Sequence, residues 1–337
     1  MDALRQLYID IYDVSPQSVE RLPGAGSNRQ YYRVVSHEGN TMIGVVGTSA
    51  EENHAFCEIA RYMHGQHLPV PELYAVSADC MRYLQEDLGS DSLFDFLKSG
   101  RESGGLYNDE QEALLHVVMS DLPRLQYEGG SSQLFKHCYP QEQMDDMSVM
   151  FDLNYFKYCY LKLTGVDFNE YKLEKDFRQL SADLLCDMNV GDNVEQTFLY
   201  RDFQARNVML KSGRPYYIDF QGGRRGPIYY DVASFLWQAS AHYSDELRDR
   251  LIDTYLQSLK RYKDMDKNDF MSHLRLFVMF RTLQVLGAYG YRGLWEKKKH
   301  FIDSIPSALA NLSALIDDGV CDPYPYLKEV SIRLINN

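Results

Sequence analysis

Positive charge is the scarcer sign in this chain: 35 lysines and arginines stand against 48 aspartates and glutamates, a formal net charge of −13. Nucleic acids and anionic membranes are held by clustered positive fields, so this balance excludes a general binder of either. It leaves room for a single nucleotide, which needs only a local site. Cysteine is sparse as well. The six, at 57, 80, 138, 159, 186 and 321, include no C-x-x-C pair. That spacing excludes a disulfide framework and a cysteine zinc site, and implies free thiols in a reducing compartment. No stretch approaches the roughly 18 charge-free apolar residues of a membrane span. The nearest, "LFVMFRTLQVLGAYGY", is interrupted by Arg281. The opening "MDALRQLYIDIYDV" carries acids where a secretory signal has a basic start and an apolar middle, so a cytoplasmic location is expected. Internal repeats, low-complexity tracts and Pro/Ser-rich linkers are absent too, so any division into domains is a compact one.

What is there is ordinary globular composition, 45% hydrophobic and 25% charged over 337 residues, enough for about two packing units. After an opening helix, "GAGSNRQYYRVVSHEGNTMIGVVG" alternates turn residues with β-branched and aromatic runs, which predicts two strands joined at "HEGN". "AEENHAFCEIARYMHGQ" has apolar residues at helical spacing (Phe56, Ile59, Ala60, Met63). "LPVPELYAVSADCMRYLQEDLG" then returns to strands ended by a glycine. Residues 1–88 thus read as a small sheet carrying one helix. From "SLFDFLKSG" onward, residues 89–337 are mostly helical, with two short apolar runs among the helices. The fold class expected is α+β, a β-rich small lobe followed by a helical large lobe.

Those two runs, "NVML" and "YYIDF", joined by "KSGRP", predict a β-hairpin. Asp202 precedes the first run, Asn207 begins it and Asp219 closes the second. Such a hairpin sets Asn207 and Asp219 side by side, with Asp202 presented from the preceding loop. Converging oxygen ligands are what Mg²⁺ takes, and a carboxylate nearby can accept a proton from an alcohol. The chemistry this suits is phosphoryl transfer, where positioning and charge neutralisation supply most of the catalysis. Taken singly, Asp202 reads as a turn cap and Asp219 as a turn residue. The ordered set is what points to catalysis.

Two further stretches fit a nucleotide. In "LPGAGSNRQYYRV", Gly24 and Gly26 allow a close backbone approach to an anion, and Ser27 and Asn28 add donors. Alone it reads equally as a hairpin turn. In "YLQEDLG" an extended strand meets a turn, and backbone groups from Gln85 to Leu88, those of Glu86 and Leu88 included, are placed to meet an adenine edge. A plain strand exit is the alternative.

With these motifs the sequence resembles the aminoglycoside phosphotransferase and choline kinase superfamily, relatives of the protein kinases. "YRDFQARN" followed by "IDFQ" is similar to its catalytic loop and metal-binding segment, with Arg201 where many members have His or Gly. The resemblance implies a bilobal protein-kinase-like fold, ATP and Mg²⁺, Asp202 as catalytic base, Asn207 and Asp219 as metal ligands, and "DFQ" as the counterpart of the kinase D-F-G. "YYDVASFL" resembles a downstream segment in which Asp231 is a structural acid. "GSNRQYYRV", "RDFQARN", "DFQGGRRGPIYYD" and "LQVLGAYGYRG" together look like the bacterial subgroup of N-acetylmuramate and N-acetylglucosamine anomeric kinases.

The match departs at one place. Protein kinases and many of these phosphotransferases carry a third-strand lysine paired to a helix glutamate, whereas this strand reads "TMIGVVG". Glu58 sits where the glutamate is expected, and Arg29 or Arg33 could replace the cation. Both arginines also read as solvated surface residues. Arg224 and Arg225, just after Asp219, would repel a polycationic antibiotic and attract an acidic sugar or a transferring phosphate. Equally, they could pair with an acid and hold the loop. Tyr229, Tyr230, Tyr289 and Tyr291 are candidates for stacking on a sugar, or core residues. The expected activity is ATP-dependent phosphorylation of a hydroxyl on a small molecule, an amino sugar in the first instance. Kinases of choline-like or aminoglycoside acceptors, and a catalytically weak nucleotide-binding regulator, are the alternatives.

Overall fold

A computed structural model of the chain describes residues 1–23, 29–186 and 195–337. Its contacts divide into two compact units. The first gathers Met1–Lys98, Arg124–Gln143 and Tyr200–Arg225. The second gathers Ser99–Pro123, Met144–Leu199 and Gly226–Asn337. The first unit's opening segment ends at Lys98. The hairpin around Asn207 and Asp219 belongs to the same unit as the amino-terminal sheet.

In the first unit, helix α1 (Asp2–Tyr12) precedes strands β1 (Ser18–Arg21), β2 (Gln30–Val35) and β3 (Thr41–Val46). Helix α2 (Ala50–Gly65) follows, then β4 (Leu73–Val76) and β5 (Arg82–Glu86). The five strands form one antiparallel sheet in the order β1-β2-β3-β5-β4. The expected β2–β3 hairpin is present, and its turn closes through Gly39 at φ 85°. Strand β1 was not anticipated, because "SVER" is too short and polar to show a period. One face of the sheet buries Tyr32, Val34, Met42 and Leu84 against Leu4, Leu7 and Tyr8 of α1. On α2, Phe56 stacks on Tyr83 of β5 with ring centroids 4.8 Å apart. Helix α2 starts where the sequence caps it: the Ser49 hydroxyl accepts from the Glu52 N–H at 3.1 Å.

Strands β6 (Val208–Lys211) and β7 (Arg214–Tyr217) are the later hairpin. It is tied to the rest of its unit by Leu210 N–H to the Asp91 carbonyl and Tyr217 N–H to the Pro69 carbonyl, both 2.8 Å. An ion pair joins Lys211 to Glu86.

The second unit is helical. Its main elements are α3 (Asp109–Glu128, whose last residues belong to the first unit), α4 (Asp146–Cys159), α5 (Glu170–Leu184) and α6 (Tyr229–Leu236). They continue with α7 (Asp245–Leu259), α8 (Lys267–Tyr289), α9 (Ile305–Asp317) and α10 (Pro325–Ile335). Helix α4 begins with a capping box between Asp145 and Ser148. Helices α4 and α8 approach closely because two glycines remove side chains from the crossing. A Cβ at Gly287 would lie 2.8 Å from the Phe156 nitrogen, and one at Gly290 would run into the Cys159 carbonyl. Among the described residues no helix is long and apolar enough to cross a membrane.

The crossing makes a stability test. Gly290→Ala is expected to destabilise the chain by about 1–3 kcal/mol through overpacking. Gly65→Ala, at a helical position with open space around it, should be neutral or slightly stabilising. Urea unfolding midpoints of the two variants check this.

Candidate active site

The pairing Val208↔Tyr217 continues one step past the hairpin's open end, where the Ile218 N–H donates to the Asn207 carbonyl at 3.0 Å. That step brings Asn207 and Asp219 together. Asn207 closes a 3-10 turn (Ala205–Asn207) immediately before β6. Asp219 lies two residues beyond β7, at φ 69° in the left-handed region that aspartate tolerates better than most residues.

Three hydrogen bonds set the polar cluster. Asn207 Nδ2 donates to the Asp202 carbonyl at 2.8 Å and approaches Asp219 Oδ2 at 3.4 Å. Gln221 Nε2 donates to Asp219 Oδ1 at 2.8 Å. With Nδ2 engaged on the Asp202 backbone, Asn207 offers Oδ1 as a ligand. With Oδ1 of Asp219 held by Gln221 at 2.8 Å, Oδ2, whose contact to Asn207 Nδ2 is the longer one at 3.4 Å, is the oxygen better placed to take a cation. Among the described residues no group of three or more His, Cys, Asp or Glu side chains is placed to hold a metal. A set of one carboxylate and one amide oxygen fits Mg²⁺, which binds through one or two protein oxygens and completes its shell with phosphate oxygens and water. Asp202, presented from the loop before the 3-10 turn, has its carboxylate near Gly222; a Cβ there would lie 3.9 Å from Asp202 Oδ2.

Aromatic packing holds this cluster in place, and the polar motifs gave little hint of it. Phe220, 0% exposed, lies parallel to Phe56 of α2 at 4.9 Å and edge-on to Tyr200 at 6.1 Å. Phe203 stacks on Tyr217 at 5.6 Å. The Tyr200 hydroxyl hydrogen-bonds to the Ile218 carbonyl, beside Asp219. The aromatic residue after each aspartate, Phe203 and Phe220, was the only visible signal.

The structure separates the two arginines proposed for the missing cation. Arg33 pairs with Asp87 at 2.7 Å. Arg29 is only 5% exposed and pairs with Glu52, in the first turn of α2, at 3.2 Å. Tyr31, Val45 and Tyr83 form one rung across β2, β3 and β5, and Arg29 reaches that rung through a hydrogen bond to Tyr31. Burial works against its charge, but Tyr83, Glu52, Tyr31 and Asp219 more than offset it, raising the guanidinium above the ordinary arginine value. Glu58, expected as the partner, instead pairs with Arg61 at 2.6 Å. The reason is helical phase: six residues apart, the two glutamates point about 120° apart around α2, and Glu52 follows Ser49 at the helix start, where the chain leaves β3. The Ser49-x-x-Glu52 spacing of a helix start was the signal available for it.

Other expected residues are placed as follows. Gly24, Gly26, Ser27 and Asn28 lie outside the described residues. The Glu86 N–H donates to the Glu72 carbonyl at 2.8 Å and its carboxylate pairs with Lys211, so its backbone N–H is already engaged. Leu88 is buried in the strand exit. Arg224 is 3% exposed, with Nε donating to the Gly222 carbonyl at 3.1 Å. Arg225 bonds the Gln143 side chain and the Glu142 carbonyl, and burial lowers its pKa despite Glu142. Both arginines brace the segment after Asp219. Tyr229 and Tyr230 are buried in α6, as is Asp231 at 0% exposure; Tyr291 is exposed.

Residues 158–266 match the phosphotransferase enzyme family. The chain is 22% identical over 300 residues to an N-acetylmuramate/N-acetylglucosamine kinase of Pseudomonas aeruginosa, spanning 87% of this chain and 82% of that one. Its fold is similar to that of a Plasmodium vivax ethanolamine kinase (TM-score 0.61, 12% identity, 89% and 82% of the two chains). It is also similar to an amicoumacin kinase in complex with AMP-PNP, Ca²⁺ and Ami (TM-score 0.58, 11% identity, 94% and 95%). Residues 158–266 thus carry a phosphotransferase-family match within a protein-kinase-like fold, and the chain is a small-molecule kinase.

Proposed function

We propose that this kinase transfers the γ-phosphoryl group of ATP to a hydroxyl of an N-acetylated amino sugar. The observation that carries the reaction is the meeting of Asn207 and Asp219 with the Asp202 loop. Asn207 Oδ1 and Asp219 Oδ2 would hold Mg²⁺, which when bound neutralises phosphate charge and fixes the phosphoryl group for attack. Asp202 orients the acceptor hydroxyl and takes its proton as the new O–P bond forms and the bond to the ADP oxygen breaks. Arg29, fixed by Glu52 and Tyr31, stands close enough to Asp219 to feel its charge. It is proposed to contact the nucleotide phosphates in place of a third-strand lysine. The Leu88 backbone and the Glu86 carbonyl are proposed to meet the adenine.

The acceptor class rests on the similarity to the N-acetylmuramate/N-acetylglucosamine kinase, together with the reading of "DFQGGRRGPIYYD" and "LQVLGAYGYRG". Arg224 does not bear on that choice, because it is buried against the Gly222 carbonyl.

ADP release measured over a panel of sugars tests the proposal. Turnover is expected with an N-acetylated amino sugar and is expected to fall by about 10²–10⁴-fold in Asp202→Asn, with nucleotide affinity retained. Nucleotide binding without turnover on any acceptor would favour a regulator instead. Arg29→Ala is expected to raise the ATP KM by roughly 10- to 100-fold, the worth of a charge-assisted hydrogen bond. Glu52→Gln should raise it by less, and Glu58→Gln should leave it unchanged. An unchanged KM in Arg29→Ala would remove Arg29 from the nucleotide site.

A further inference from the structure

Gln221 occupies the position at which the corresponding protein-kinase segment has glycine, and its amide is used on one side only. Nε2 donates to Asp219 Oδ1 at 2.8 Å, whereas Oε1 is buried and accepts no hydrogen bond among the described residues. The opposite amide orientation would set Oε1 against a carboxylate oxygen, so Asp219 fixes which end is which. A buried acceptor without a donor is unfavourable, and such an exception calls for an explanation. Of the three site residues described above, Asp219 and Asp202 bring acceptors, and Asn207 Nδ2 is directed to the Asp202 carbonyl.

The missing donor is one a ligand brings. ATP phosphates at neutral pH carry acceptors only. A divalent cation held by two protein oxygens keeps water on the positions that phosphate leaves open, and the charge of the ion makes those O–H groups strong donors. We propose that Gln221 is a positioning residue of the metal site. Its Nε2 holds the Asp219 carboxylate in the ligating orientation, and its Oε1 accepts a hydrogen bond from a water on the bound cation. This inference rests on the reading of Asn207 and Asp219 as the cation ligands.

Mn²⁺ titrations followed by electron paramagnetic resonance, on the full chain with a non-hydrolysable ATP analogue, test it. Gln221→Met, close in size and without hydrogen-bonding groups of comparable strength, is expected to weaken Mn²⁺ binding by about 10- to 100-fold. Affinity for the analogue in metal chelator and the thermal unfolding midpoint are expected to stay at wild-type values. Gln221→Ala serves as a second variant and is expected to behave alike. Wild-type Mn²⁺ affinity in both variants overturns the inference. So does an equal loss of analogue affinity with and without metal, which would mark Gln221 as structural only. Asp219→Asn in the same titration separates the two levels. If it loses Mn²⁺ while the Gln221 variants do not, only the inference about Gln221 fails. If it binds Mn²⁺ like the wild type, the reading of the cation site itself fails.

Discussion

The hydrogen bond from the Ile218 N–H to the Asn207 carbonyl extends the β6–β7 ladder one pair beyond its last strand residues, and the site depends on that register. A slip of one residue would turn every side chain of the moving strand to the other face. Asn207 and Asp219 would then part, and Asn207 would no longer reach the Asp202 carbonyl. The left-handed backbone at Asp219 adds a second constraint, because it turns the chain so that Phe220 points into the core. The polar and apolar halves of the segment are therefore fixed together.

Helix α2 is tied to this segment in two ways. Phe56 stacks on both Tyr83 and Phe220, and Glu52 from the same helix fixes Arg29, on which the charge of Asp219 acts. In many relatives a lysine in the middle of a strand makes the charged link. Here the rung of Tyr31, Val45 and Tyr83 carries no cation, and the arginine enters from the residue before β2. The arrangement keeps a positive charge near Asp219 while leaving β3 free to pack apolar residues and Gly44 beneath α1.

Much of this was legible in the sequence, because it depended on local patterns. The hairpin, α2 and the β2–β3 pair follow from period and turn residues, and Asp202, Asn207 and Asp219 from their order around one hairpin. What was not legible depended on phase and on partners distant in the chain. Glu58 and Glu52 differ by less than two helical turns, and only the folded helix shows that the first faces Arg61 and the second Arg29. Arg224 and Arg225 read as a charged pair open to a ligand, yet the Gly222 carbonyl accepts from the Arg224 guanidinium and the Gln143 side chain from that of Arg225. Of the tyrosines proposed for stacking, Tyr229 and Tyr230 are buried and Tyr291 is exposed, which no spacing could foretell. Gln221 was visible as a letter in "DFQ", but the two ends of its amide acquire different surroundings only in the folded chain.

The central claim is that this constellation moves phosphate from a nucleotide to a hydroxyl. Phosphorus NMR of the protein with ATP, Mg²⁺ and an N-acetylated amino sugar tests it most directly, because the acceptor of the phosphate is read from the product. The account predicts that the γ-phosphate signal of ATP is replaced by ADP and a sugar phosphomonoester in equal amounts. ATP left intact with every hydroxyl acceptor offered, or converted only to ADP and inorganic phosphate, would contradict it.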